Sequence, residues 1–267
     1  MSDEAAAVSL VGVTKIFERG NTHALDDITL DMRPGELVSL IGPSGCGKST
    51  VLRLIADLVP PTSGTITVAG KSAHRARLDH DYAMVFQEAV LYDWRTVAKN
   101  IALPLELAGW SRGERQRRVD EMVELVELGG FEKHHPWQLS GGMQMRVAIA
   151  RALSLDPKLL LMDEPFGALD EMTRERLNLE LLRIWEQSGC TVVFVTHSIT
   201  EAVFLSTRVV VMSPRPGRIA GVVDVDLPQP RTTDTREEPR FFELVTEVRE
   251  LLRGYVATHG TVEEELA

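Results

Sequence analysis

Cysteine is scarce in this 267-residue chain: Cys46 and Cys190 are all there is, too few for a disulfide framework. That scarcity fits a reducing compartment, and the cytoplasm is the expected location. Long apolar runs are missing as well. No uncharged stretch reaches the roughly 18 residues of a spanning helix, and residues 1–10 lack the basic start and apolar centre of a secretory signal. The chain is therefore expected neither to be exported nor to cross a bilayer by itself, which leaves peripheral docking on another protein's membrane domain open. Positive charge is in deficit, 29 Lys and Arg against 39 Asp and Glu, for a net charge of -10. Such a balance disfavours general nucleic-acid binding but not nucleotide binding. With 44% hydrophobic and 25% charged residues, the remainder is ordinary globular composition with material for a full core.

Apolar alternation bounded by Gly, Pro and Asp predicts strands near 9–16, 28–32, 65–68 and 82–86. Four short runs, 37–41, 159–162, 192–195 and 209–212, are apolar almost throughout, as buried parallel strands covered on both faces should be. Helical periodicity falls between them, over 48–58, 96–107, 114–128, 142–153, 172–187 and 199–205. The alternation predicts an α/β fold around a mainly parallel sheet, with the early strands forming a small N-terminal antiparallel β-subdomain beside it. From 88 to about 155 no strong strand candidate occurs, so this stretch is expected to be an inserted helical subdomain. A Pro- and Thr-rich segment over 229–240 reads as an exposed linker before a last amphipathic helix over 241–258.

Gly42-Pro43-Ser44-Gly45-Cys46-Gly47-Lys48-Ser49 fits G-x-x-x-x-G-K-[ST] directly between an apolar strand and a helical run, with Thr50 following inside the helix. Glycines there let backbone N–H groups converge on phosphate oxygens, and the helix N-terminus adds its positive end. Lys48 is placed to reach the terminal phosphates and Ser49 to ligate magnesium. Cys46 lies inside this loop, so its alkylation is expected to block ATP binding. The strand over 159–162 runs into Asp163 and Glu164, the first suited to holding hydrated magnesium and the second to polarising an attacking water. A second anion-ready helix start is Ser140-Gly141-Gly142, with Ser140 as N-cap. One nucleotide on one copy could hardly need both.

Together these residues resemble the ATP-binding subunit of ABC transporters. Leu139-Ser-Gly-Gly-Met143 is similar to that family's signature Leu-Ser-Gly-Gly-Gln, with Met143 in place of the glutamine, and the likeness continues through Arg146-Val-Ala-Ile-Ala-Arg-Ala-Leu153. By that resemblance Gln87 contacts magnesium and senses the permease, and Phe17 stacks on adenine. It further implies that Gly167-Ala-Leu-Asp170 crosses a dimer interface and that His197 is the switch histidine near the γ-phosphate. The family's order of motifs covers residues 8 to about 225. It implies a P-loop NTPase core within an ATP-binding domain at 1–240, the insertion at about 88–155, and a C-terminal helix and tail at 241–267.

The resemblance also implies a head-to-tail dimer of ATP-binding subunits, expected to be a homodimer, in which the phosphate loop of one copy and Ser140 to Gly142 of the other enclose ATP and Mg2+. Glu164, His197, Lys48 and Gln87 would serve hydrolysis. Glu88-Ala-Val-Leu-Tyr-Asp-Trp-Arg-Thr-Val97 resembles the corresponding stretch of the nitrate/sulfonate/taurine importer ATPases, as does Ser213-Pro-Arg-Pro-Gly-Arg-Ile219. The expected partners are then transmembrane permease subunits, and indirectly a solute-binding protein, with the chain peripheral on the cytoplasmic face of the inner or plasma membrane. A soluble non-transport ABC ATPase and a P-loop kinase are the alternatives. The kinase leaves Ser140 to Gly142 without a purpose.

Overall fold

The computed structural model describes residues 6–18 and 20–259, with side chains through Gly254; the tail over 260–267 and residues 1–5 lie outside them. Strands β1 (Val8–Phe17), β2 (Thr22–Met32), β4 (Ser63–Val68) and β5 (Lys71–Ser72) form an antiparallel sheet in the order β2-β1-β4-β5. A second sheet is ordered β10-β9-β3-β8-β7-β6, from β3 (Leu37–Ile41), β6 (Tyr82–Phe86), β7 (Leu159–Asp163), β8 (Thr191–Val195), β9 (Arg208–Met212) and β10 (Ile219–Asp224). All its neighbours are parallel except β9 and β10.

Two apolar clusters sandwich this sheet, and alternate residues of each inner strand feed opposite sides. Leu37, Ile41, Val192 and Phe194 enter the cluster shared with the helices of the insertion and the C-terminal half. Val38, Leu40, Val193 and Val195 enter the cluster shared with β1 and β2. Nearly every position is thus apolar, Ser39 and Thr191 excepted, and each fully buried aliphatic side chain contributes about 1.5–3 kcal/mol against exposure.

The helices are α1 (Lys48–Ile55), α2 (Ala73–Leu78), α3 (Val97–Leu107), α4 (Arg112–Leu125), α5 (Gly141–Leu153), α6 (Glu171–Ser188), α7 (Ile199–Leu205) and α8 (Pro239–His259). Side-chain caps set most of their starts: Thr96 for α3, Ser111 with Glu114 in a capping box for α4, Ser140 for α5, Asp170 for α6 and Ser198 for α7. Between β6 and β7 the described chain carries α3, α4, a 3-10 turn and α5, but no strand.

Three expectations change. Residues 82–86 join the parallel sheet as its β6 edge rather than the antiparallel one; they pair with β7 alone, and only Val85 among them is buried. Residues 219–224 form β10, missed because its small, partly exposed residues carry little apolar signal. The 229–240 segment is no loose linker: Arg231 and Thr235 are buried, and the Arg231 guanidinium donates to the carbonyls of Val203 (3.2 Å) and Phe204 (2.6 Å) at the end of α7. Burial lowers the Arg231 pKa to about 10.

Candidate nucleotide site

Strand β3, buried at all five positions, delivers the chain into the phosphate loop, and α1 leaves it. Gly47 precedes α1 at φ 107°, and a Cβ there would lie 2.5 Å from Leu25 Cδ2, so backbone conformation and space both demand glycine. Helix α1 has no side-chain cap, which leaves its first N–H groups free for an anion. Lys48 is buried, its ammonium donating to the carbonyls of Gly42 (2.8 Å) and Pro43 (3.1 Å). A pocket of about 310 Å³ is lined by Ser44, Gly45, Lys48, Ser49, Thr50 and Glu164, together with Gly47 and Arg215.

Ser49 Oγ donates to Asp163 Oδ1 at 2.8 Å, joining the loop to the end of β7. Burial raises the Asp163 pKa, against the Ser49 hydrogen bond that lowers it, so this carboxylate gains from a nearby cation. Glu164 follows at φ 49°, a conformation costly for a non-glycine residue. Its N–H donates to Val195 O (3.0 Å) and its carbonyl accepts from Gly167 N (3.0 Å), so the strained turn is pinned at both ends. His197 Nδ1 lies 3.5 Å from Glu164 Oε2. A neighbouring cleft of about 510 Å³ is lined by Ser49, Gln87, Asp163 and Glu164 among others. Gly167 adjoins it: a Cβ there would meet Gln87 Nε2 at 3.2 Å, so a residue without a side chain lets the glutamine lie against the turn. The oxygen donors Ser49, Asp163 and Gln87 thus converge on one wall, a set suited to a hard cation that keeps waters and phosphate oxygens as its other ligands.

The structure does not bring every candidate to this wall. Phe17, at the end of β1 with Lys15 Nζ 5.0 Å from its ring centroid, lines neither cleft. Ser140 and Gly141 are exposed at the start of α5, and Ser140 Oγ accepts from Met143 N at 3.3 Å. Gly141 and Gly142 pack on the segment around Asp170, where added Cβ atoms would meet Leu169 Cδ2 at 3.2 Å and Thr173 Cγ2 at 3.0 Å. The Asp170 carboxylate accepts from Thr173 N at 3.0 Å, and that hydrogen bond leads in holding its pKa below the ordinary range. Gln144 does not replace the glutamine absent at 143: its amide donates to Pro136 O (3.0 Å) and Leu139 O (3.3 Å). Cys46 is buried, and desolvation pushes its thiol pKa up.

Two arginines were not singled out from sequence. Arg215 lines the phosphate pocket and donates to Gly45 O. Arg151, on α5, donates to Val90 O (2.8 Å) and Ala89 O (3.0 Å), tying the helix that begins at Ser140 to the segment after Gln87. That segment leads to an apolar cleft of about 540 Å³, lined in part by Met84, Phe86, Tyr92 and Leu107. Asn100, fully buried, holds the adjoining turn by donating to Tyr92 O, Arg95 O and Thr96 O and accepting from Tyr92 N. Trp94 on that turn is 73% exposed, which packing within the chain does not explain. Among the described residues no helix is long and apolar enough to cross a membrane.

The ABC transporter family pattern matches residues 25–167. The chain is 43% identical over 255 residues to a nitrate import ATP-binding protein of Synechocystis sp., covering 92% of this chain and 95% of that one. It is 46% identical over 237 residues to a taurine import ATP-binding protein of Rhizobium johnstonii, covering 87% and 90%. A dimeric ATP-binding cassette in a post-hydrolysis state with ADP and Pi superposes with a TM-score of 0.70 at 36% identity, covering 82% of this chain and 98% of its own. Motif geometry, sequence and fold agree: the chain belongs to the ABC transporter family, among its ATP-binding, ATP-hydrolysing members.

Proposed function

We propose that this chain powers import of a small solute, of the nitrate/sulfonate/taurine type, by ATP-driven closure of a dimer on separate permease subunits at the cytoplasmic face of the membrane. The observation that carries the reading is the separation of two anion-ready surfaces. Lys48, Ser49, Asp163, Glu164 and Gln87 gather at the clefts beside the phosphate loop, whereas Ser140, Gly141 and Asp170 line neither of them. A second copy supplies the missing half of each site: its Ser140 to Gly142 meets the γ-phosphate held by the first copy's loop. Nucleotide state then sets whether the pair is closed.

Within each site, Lys48 exchanges its carbonyl partners for phosphate oxygens and neutralises developing charge. Ser49, Asp163 and Gln87 would hold magnesium, which when bound screens the phosphate chain and orients it for in-line attack. Glu164 orients or deprotonates the water, and His197 fixes the Glu164 carboxylate and the γ-phosphate. Phe17 stacks on adenine once the nucleotide is seated, and Asp170 takes part in the crossing contact between copies. On this reading residues 1–240 are the ATP-binding domain, with the insertion at about 88–155 presenting Trp94 and the neighbouring cleft to the permease, and 241–267 are an accessory C-terminal helix and tail. Arg151 links the Ser140 helix to that docking face. The solute is selected by the partner proteins.

The test is light scattering of a Glu164→Gln variant with and without ATP and magnesium, beside wild-type hydrolysis. Nucleotide-dependent dimerisation that disappears in Glu164→Gln with Ser140→Arg is expected. Monomers that hydrolyse ATP at the wild-type rate despite both substitutions would overturn the mechanism.

A further inference from the structure

Arg215 belongs to the 213–218 loop that joins β9 to β10, some 170 residues beyond the phosphate loop it touches. Its Nε and Nη2 both donate to Gly45 O, at 3.3 and 3.1 Å, and the side chain lines the pocket that holds Lys48, Ser49 and Thr50. Its neighbour Arg218 pairs with Asp26, but among the described residues no carboxylate lies within ion-pair distance of Arg215. In a chain of net charge -10, an unpaired guanidinium at the mouth of an anion pocket lacks only the anion.

The loop that carries it is fixed. Gly217 N donates to Ala24 O (2.9 Å), Gly217 O accepts from Asp26 N (3.0 Å), and Ser213 Oγ accepts from Arg218 N (2.8 Å) while lying within donating distance of Pro214 O. The guanidinium is therefore placed before a ligand arrives, at little further ordering cost. Two of its donors are committed to Gly45, and the fork retains others for phosphate oxygens.

We propose that Arg215 is a nucleotide-binding residue: it closes the phosphate loop from the β9–β10 side and holds a phosphate present in both ATP and ADP. The choice of phosphate follows from its anchor, because Arg215 is tied to Gly45 and not to the Glu164 and His197 pair at the hydrolytic end. Product release is thereby slowed by a contact that hydrolysis does not break. The inference rests on nucleotide binding at the phosphate loop.

Titration calorimetry with magnesium-ADP and a non-hydrolysable ATP analogue, at low and moderate salt, tests it on the wild type, Arg215→Gln and Arg215→Lys. Arg215→Gln is expected to weaken both ligands by the same factor, about 10- to 100-fold, the worth of a charge-assisted hydrogen bond, with a shallower salt dependence. Arg215→Lys is expected to retain part of the affinity. Glutamine binding within twofold of wild type would overturn the assignment. So would loss for the ATP analogue alone, or equal loss in both variants with unchanged salt dependence, which marks a mere prop for Gly45. Thermal melts of both variants report whether the fold is intact, and a wild type that binds neither ligand overturns the site together with the role of Arg215.

Discussion

Gly217→Ala is a severe perturbation placed outside the phosphate loop that it touches. A Cβ at 217 would lie 2.1 Å from Cys46 O, 3.1 Å from Leu25 Cδ2 and 3.2 Å from Met212 Cε. The first of these atoms is backbone, so relief requires the two segments to separate by about 1 Å. Such separation strains or breaks the hydrogen bonds from Gly217 N to Ala24 O and from Asp26 N to Gly217 O, each contributing about 1 kcal/mol. Overpacking adds about 1 kcal/mol or more, for a total near 3 kcal/mol. For a chain of this size that corresponds to a fall in Tm of about 6–12 °C. The displaced partner is the phosphate loop itself, so ADP affinity falls with stability. Gly129→Ala, where an added Cβ meets nothing within 4 Å, is the control. Differential scanning calorimetry and ADP titration read both effects. A Gly217→Ala protein melting within 1 °C of wild type, with unchanged ADP affinity, would refute the argument about close approach.

Two further outcomes follow from buried groups. Cys46 is 1% exposed and its thiol pKa is raised by burial, so maleimide labelling of the native protein is expected to be slower than that of the unfolded chain by about 100-fold or more; mass spectrometry showing Cys46 labelled as fast as in denaturant would sink this. Glu201 is buried, and desolvation raises its pKa despite the hydrogen bond it accepts from Thr196 Oγ1 at 2.5 Å. A carboxyl whose folded pKa exceeds its unfolded value costs stability as pH rises from the unfolded value through the folded one. Glu201→Gln is therefore expected to raise Tm by a few degrees above neutrality, the gain vanishing near pH 4; an equal gain at both pH values would count against it.

Much of this site could be read before any coordinates, for reasons tied to particular residues. β3, apart from Ser39, and β8, after Thr191, are apolar runs because neighbouring residues feed opposite clusters, and strands sandwiched in this way announce themselves. Lys48 and Ser49 open the helix that follows β3, and Asp163 and Glu164 stand at the end of β7, so their convergence followed from the α/β reading. β10 and the six-residue α2 escaped because short, half-exposed elements have weak periodicity. Arg231 escaped for another reason: a guanidinium in a Pro- and Thr-rich stretch looks solvated until α7 is seen to offer it two carbonyls. Arg215 lay within a stretch quoted for its family likeness, yet its contact with Gly45 depends on tertiary structure alone.

The seam at Gly217 also bears on the order in which the molecule can assemble. Residues 24–26, 42–47 and 213–218 meet there, so the phosphate loop is completed by a segment close to 200 residues downstream of its first partner. Contacts of such sequence separation are the slowest to form, since chain closure must precede any reward. During synthesis the loop's own sequence emerges some 170 residues before its buttress. A ligand that binds only the completed loop stabilises the folded chain by mass action, so nucleotide is coupled to the closing of this seam as well as to the working cycle.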